Sequence, residues 1–264
     1  MNVFYREMKA HRKSLIIWCV GMIAMIASGM GKYAGFSSTG QSMNDLIAQM
    51  PESLQAITGM GSFDISTAVG FYGVLFLYLL LMATIHATML GATVIAKEER
   101  DRTAEFLFVK PATRTKIIRL KLFAALTNVI ILTGVTWISC LLIVGKYSDG
   151  ASISSAIGMT MLGMFILQVL FLTLGTAMAA LIKKPQKAAS FSTGILLIAV
   201  MLSFAVDLNS NIANLKYFTP FKYFEAKHVM EGGFDLLFLT LSMLLITIFA
   251  TVTFVAYKQR DLKV

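Results

Sequence analysis

Of 264 residues, 57% are hydrophobic and only 14% are charged, a balance that excludes an ordinary water-soluble domain with a charged surface. The net charge of +9 invites a nucleic-acid partner, but the placement of the basic residues supplies another cause and leaves none to be explained by nucleic acid. Two cysteines, Cys19 and Cys140, lie in different apolar stretches without CxxC or Cys/His spacing, so neither a disulfide scaffold nor structural zinc is indicated.

In chain order, the apolar stretches are 15–30, 69–96, 122–145, 158–182, 188–206 and 236–257, together about half the chain, and none contains Asp, Glu, Lys or Arg. Hydrocarbon about 30 Å thick needs about 20 helical residues, and a charge at its centre costs about 2.5–3.5 kcal/mol on insertion scales. Six membrane-spanning helices in one domain, residues 1–264, are therefore expected. The connecting pieces are too short to fold alone. Of the 23 Lys and Arg, only Lys32, Lys146, Lys216, Lys222 and Lys227 fall on the side opposite the N-terminus. The positive-inside rule then puts both termini in the cytoplasm. A cleaved signal peptide ending at Ala27-Ser28-Gly29 competes with the first span, but its removal would leave five spans and spoil the charge pattern.

Before the first span, Phe4, Met8, His11 and Leu15 recur at helical steps, with Arg6, Lys9 and Lys13 away from that face. A short interfacial elbow helix fits this pattern, as does a basic tail on anionic headgroups. Between the first two spans, Ser42-x-x-Asp45 reads as a capping box, Pro51 can open a helical turn and Gly59 can close one, which predicts short external helices. The second external segment, 207–235, interleaves Leu215, Tyr217, Phe218, Phe221, Tyr223 and Phe224 with Lys216, Lys222 and Lys227 around Pro220. It reads either as a plain interfacial loop or as two short re-entrant helices meeting at Pro220.

Within the spans, His86, Asn128 and Gln168 are the polar side chains expected to face the bundle interior, or a substrate path if one exists. For His86 an interhelical hydrogen bond is the plainer reading, and no intramembrane carboxylate is present to complete a proton relay. Ala83, Ala87 and Gly91 form a small-xxx-small row that permits close helix approach. The 17 Met and 19 Phe could line an adaptable pocket or simply pack and face lipid.

The segment after the second span is dense in charge yet carries an apolar patch, Ala104 and Phe106 to Val109, and is broken by Pro111. A helix docking on another protein through Phe106, Leu107 and Phe108 would need such a patch, and so would a loop folding onto its own bundle. Glu98-Glu99-x-x-x-Thr103-x-Glu105-x-Leu107, with Pro111-x-x-Arg114 and Lys121 following, resembles the signature between the second and third spans of ABC type 2 exporter permeases, except that Arg102 stands at the usual glycine position. The Met50-Pro51-Glu52 loop, the Phe71-Tyr72-Gly73 entry to the second span and residues 215–224 look similar to that family as well.

The resemblance implies an all-α membrane protein: six transmembrane helices, an N-terminal elbow helix built on Phe4, Met8 and His11, a cytoplasmic coupling helix and short external helices. It also implies a non-catalytic subunit of an ATP-driven exporter that pairs with a second permease chain, as homodimer or heterodimer, and with two cytoplasmic ATPase subunits that bind ATP and magnesium. The setting implied is a bacterial plasma membrane. Glu98, Glu99, Thr103, Glu105, Phe106, Leu107, Phe108, Pro111 and Arg114 would form the ATPase-coupling surface, and the cargo would be an amphipathic or hydrophobic peptide, drug, lipid or glycan. No Gly-x-x-x-x-Gly-Lys-Ser/Thr loop occurs in the chain, so hydrolysis would belong to the partner. The alternative is a membrane-embedded assembly protein that recruits a cytoplasmic partner without moving cargo. Paired carboxylates, metal-ligand spacing and Gly-x-Ser-x-Gly are all missing from the sequence, which argues against an intramembrane enzyme.

Overall fold

Long apolar runs with few Gly or Pro interruptions satisfy their backbone hydrogen bonds internally, and in a computed structural model of the protein each of the six becomes one continuous helix. The structure describes residues 3–38, 47, 49–100, 113–148, 151–182 and 184–259. Eight α-helices are found among them: α1 (Val3–Ser38), α2 (Glu52–Thr58), α3 (Ala68–Arg100), α4 (Arg114–Val144), α5 (Ala151–Leu181), α6 (Pro185–Leu208), α7 (Ala226–Gly232) and α8 (Leu236–Gln259). No strand occurs among the described residues. Six of the helices are long and apolar enough to cross a membrane.

Local chemistry sets the ends. Thr113 caps α4, its hydroxyl accepting from the Lys116 N–H at 3.3 Å, and Pro185 opens α6 at a position where its missing N–H costs nothing. Thr67 does the same for α3, accepting from the Gly70 N–H at 3.0 Å. Of the external signals, Pro51 immediately precedes α2 and Gly59, at φ +71°, stops it, as expected. The Ser42-x-x-Asp45 box lies outside the described residues.

One expectation is corrected. The N-terminal stretch is not a separate elbow helix: α1 runs unbroken for 36 residues, with no glycine or proline before Gly21 to turn it. Its Phe4, Met8 and His11 face is half-buried against the bundle, Met8 Sδ accepting from Asn128 Nδ2 at 3.2 Å and Phe4 meeting the ring of the outward-facing Phe123 at 5.4 Å, so α4 covers part of it.

At the centre stand α3 and α5, with α6 and α8 packed on their flanks and α1 held chiefly by α4. In each of the two central helices 61% of the most apolar window is buried, against 11% in α8. The outer helices turn Ile17, Phe123, Ile138, Ile198, Met201 and Leu244 outward, the exposure of large apolar groups expected where lipid is the solvent. The small-residue row works as its spacing suggests. A Cβ on Gly91 would fall 2.2 Å from the Leu172 carbonyl oxygen, and one on Gly175 would fall 2.4 Å from that of Thr88, so α3 and α5 touch backbone to backbone. Cys140 is fully buried and Cys19 half-buried, both free and on different helices, in keeping with packing roles.

Gly91→Val and Gly175→Val should each destabilise the protein by about 2–3 kcal/mol, because backbone cannot yield as a side chain does. Gly134→Ala, where a Cβ meets nothing within 4 Å, should change it by less than about 0.5 kcal/mol. Thermal unfolding of the purified variants in one detergent measures the contrast.

Candidate ion network and coupling site

Glu98 sits in the last turn of α3 and Lys121 two turns into α4, so the end of the one helix and the start of the next meet at one place. There Lys121 is fully buried and its Nζ donates to the Val94 carbonyl at 2.6 Å and to Glu98 Oε2. The other Glu98 oxygen accepts from Arg6 Nη2 at 2.8 Å, and the same guanidinium nitrogen donates to Glu7 Oε1 at 3.0 Å. Glu7 is fully buried, and its second oxygen lies 3.8 Å from His11 Nε2 without a hydrogen bond. Two carboxylates, a lysine and an arginine thus form a cluster of balanced formal charge joining α1, α3 and α4, with one histidine at its edge.

Such a cluster is expensive to build and more expensive to break. Each buried ion forfeits several kcal/mol of hydration, which the mutual attraction repays only while all members stay in place; deleting one member costs about 3–5 kcal/mol. Its mechanical consequence is that α1, α3 and α4 cannot separate at this end without uncovering charge. A second tie runs from the same region to the last span, where Arg114 Nη1 donates to the Lys258 carbonyl at 3.4 Å.

Of the residues picked out by the sequence signature, the structure brings Glu98 and Lys121 into direct contact. Glu99 lies on the same final turn of α3 and Arg114 at the start of α4. Thr103, Glu105, Phe106, Leu107, Phe108 and Pro111 lie outside the described residues. Sequence reasoning missed Glu7 and misjudged Arg6, which turns to Glu98 instead of standing apart from the packed face. The signal for Glu7 was present: it lies three residues after Phe4 and four before His11, hence on their face, and an acidic residue on an apolar helix face calls for a buried partner.

The three polar residues considered for a substrate path are all buried but have separate neighbours. Asn128 donates to the Ala124 carbonyl at 2.8 Å and to Met8 Sδ at 3.2 Å, Gln168 donates to the Thr133 hydroxyl at 2.9 Å, and the His86 ring lies 5.4 Å from that of Trp18. One acceptor-capable atom of each, Asn128 Oδ1, Gln168 Oε1 and His86 Nδ1, has no hydrogen-bond partner. No group of three or more metal-ligating side chains occurs among the described residues.

At the far end of the bundle, the aromatic segment divides at Thr219 and Pro220 into two 3₁₀ helices, Ser210–Phe218 and Pro220–Phe224. This matches the reading of two short helices meeting at Pro220, with one addition: the second is inserted among the spans. Phe221, Tyr223 and Phe224 are buried while Tyr217 and Phe218 are exposed. Thr219 donates to the Ala199 carbonyl at 2.7 Å, and Lys222, buried, donates to both Asp207 and Glu225. Burial pushes the Tyr223 phenol up from its ordinary pKa, so it remains a donor to the Tyr217 carbonyl through the neutral range.

A family model described as ABC-2 family transporter protein matches residues 1–262. The chain belongs to that family. It is a multi-pass membrane transporter component, and in this ABC-2 family the ATPase is a separate cytoplasmic partner. A comparison with curated proteins returns no match.

Lys121→Met should destabilise this ABC-2 protein by about 3–5 kcal/mol, because it strands Glu98 and Glu7 with Arg6 alone. Arg6→Met should cost less, since the Arg6 side chain is 31% exposed and solvent can partly replace it. Unfolding midpoints of the two variants, compared in the same micelle, give the order.

Proposed function

We propose that the chain is the permease subunit of an ATP-driven exporter, moving an amphipathic or hydrophobic molecule by alternating access. The observation that carries this reading is the Glu98–Lys121 pair, which holds together the two helix ends from which the charged connection emerges. A push delivered to that connection would be received by α3, α4 and, through Arg6, α1, rather than being lost in a loose loop. Arg114 extends the same path to α8.

On this reading the ATPase-coupling surface consists of Glu98, Glu99, Thr103, Glu105, Phe106, Leu107, Phe108, Pro111 and Arg114, the aromatic residues anchoring in the ATPase and the charges setting register. ATP and magnesium bind the partner, present in two copies, and a second permease chain completes the assembly. Closure of the ATPase pair drives the coupling segments together and shifts the bundle from inward-open to outward-open. Both termini are cytoplasmic in a bacterial plasma membrane, an orientation supported by the distribution of Lys and Arg. His86, Asn128 and Gln168 are buried polar side chains that each keep one atom without a hydrogen-bond partner, and they are candidates for contact with cargo during the transition.

Replacing Phe106 and Phe108 together with Asp should abolish association with the cognate ATPase in pull-down while membrane insertion persists; an unchanged pull-down counts against docking. Glu99→Lys should lower stimulation of ATPase turnover in liposomes more than it lowers expression, and equal loss of both indicates a folding role. If the wild-type chain binds the ATPase but neither stimulates it nor moves any cargo, it is an assembly protein and the exporter reading fails.

A further inference from the structure

The end of the bundle opposite the ion network, the outer end on the reading above, contains a cavity of about 590 Å³ between α3, α6 and the external segments. Protein interiors rarely leave voids larger than a water molecule, whereas ligand sites run from about 300 to 1,000 Å³. Four phenylalanines, Phe76, Phe204, Phe221 and Phe224, contribute to its lining together with Leu80 and Val200. Phe63 contributes as well, lying so close over Gly73 that a Cβ there would be 2.5 Å from its ring. The charged and ionisable groups of the wall are Asp207, Glu225, Lys227 and His228, with Gln55, Thr58, Tyr78 and Ser203 as neutral polar groups.

The charge arrangement there is asymmetric. Lys222 is buried and is shared between Asp207 and Glu225, so one ammonium serves two carboxylates. Both carboxylates remain about a third exposed. Glu225 Oε2 lies 3.8 Å from His228 Nε2, and that imidazole is 79% exposed. Lys227, the remaining cation of the lining, is also exposed and can carry its charge into water on a flexible stem. The trio of Asp207, Glu225 and Lys222 therefore leaves one negative charge facing a chamber rich in aromatic rings, whose faces themselves attract cations.

We propose that this cavity binds a monocationic amphiphile, its apolar body among Phe76, Leu80, Phe204, Phe221 and Phe224 and its positive charge at Asp207 and Glu225. Electrostatic complementarity selects the sign of the ligand, and the aromatic walls select an apolar body over a hydrated ion. Its place as a station on an export route rests on the permease reading; the binding itself does not, and it is measured without any ATPase.

The test uses the full chain in lipid nanodiscs with two probes of nearly the same shape and opposite charge, tetraphenylphosphonium and tetraphenylborate. Wild-type protein should bind tetraphenylphosphonium saturably. Asp207→Asn should weaken that binding about fivefold, the effect of one partly solvated charge, and leave tetraphenylborate binding unchanged or tighter. Ser203→Trp, which fills the cavity one helical turn before Asp207, should abolish tetraphenylphosphonium binding with little change in unfolding temperature; Leu80→Trp repeats the filling from α3. Tetraphenylphosphonium binding that survives both filling variants overturns the site. An equal response of the two probes to Asp207→Asn overturns the selection for a cation. Loss of ATPase stimulation with intact probe binding would sink the exporter reading alone, and the reverse pattern would sink this one alone.

Discussion

A buried carboxylate cannot remain charged in an apolar bundle unless cations meet it, and this requirement organises one end of the molecule. Glu98 is held by Lys121 and Arg6, and Glu7 by Arg6, so three helices that contribute to different parts of the chain meet at a single knot of balanced formal charge. Because Glu7, Glu98 and Lys121 are desolvated and only Arg6 keeps partial access to solvent, the knot resists partial opening more than an exposed salt bridge would. The segment between α3 and α4 is joined to it through the end of α3 and the start of α4. Any force applied to that loop is applied to the knot first, and the packing above it determines where the displacement goes.

Above the knot the restraints are steric rather than ionic. Gly91 and Gly175 let α3 and α5 meet along their backbones, which makes this pair the stiff centre on which α6 and α8 lie. At the far end, Lys222 repeats the ionic device at a more exposed site, pinning the inserted segment Pro220–Phe224 to the end of α6 through Asp207 and to the start of α7 through Glu225. The bundle is thus fastened by charge at its two ends and by close backbone contact between them. In lipid, where apolar burial between helices contributes little, these are the interactions that remain available to specify one arrangement.

Much of this was legible in the residues. Charge-free runs located all six spans, and helices α3 and α4 exceed their runs only where capping and buried ionic partners let the helix continue past the apolar stretch. Ala83, Ala87 and Gly91 announced a packing face, and Pro51, Gly59 and Pro220 marked real breaks. The elbow was misread because an amphipathic start looks the same whether its apolar face meets lipid or protein; only the third dimension supplies Phe123 as the neighbour of Phe4. The ionic pairings were hidden for a related reason. Glu98 and Lys121 stood in a recognisable signature, but nothing in linear spacing says that Arg6, 92 positions away from Glu98, would be the third member. The far-end cavity arises from helices and loops distant in the chain and left no local trace.

The central claim is that Glu98 and Lys121 act as one unit linking the charged loop to the bundle, and a double-mutant cycle of Glu98→Gln and Lys121→Met tests it most directly when read both in unfolding and in stimulation of the cognate ATPase. The account predicts that the double variant is more stable than the sum of the two single losses by more than about 1.5 kcal/mol, with ATPase stimulation low in all three. Additive effects on stability, or full stimulation in the double variant, would contradict it.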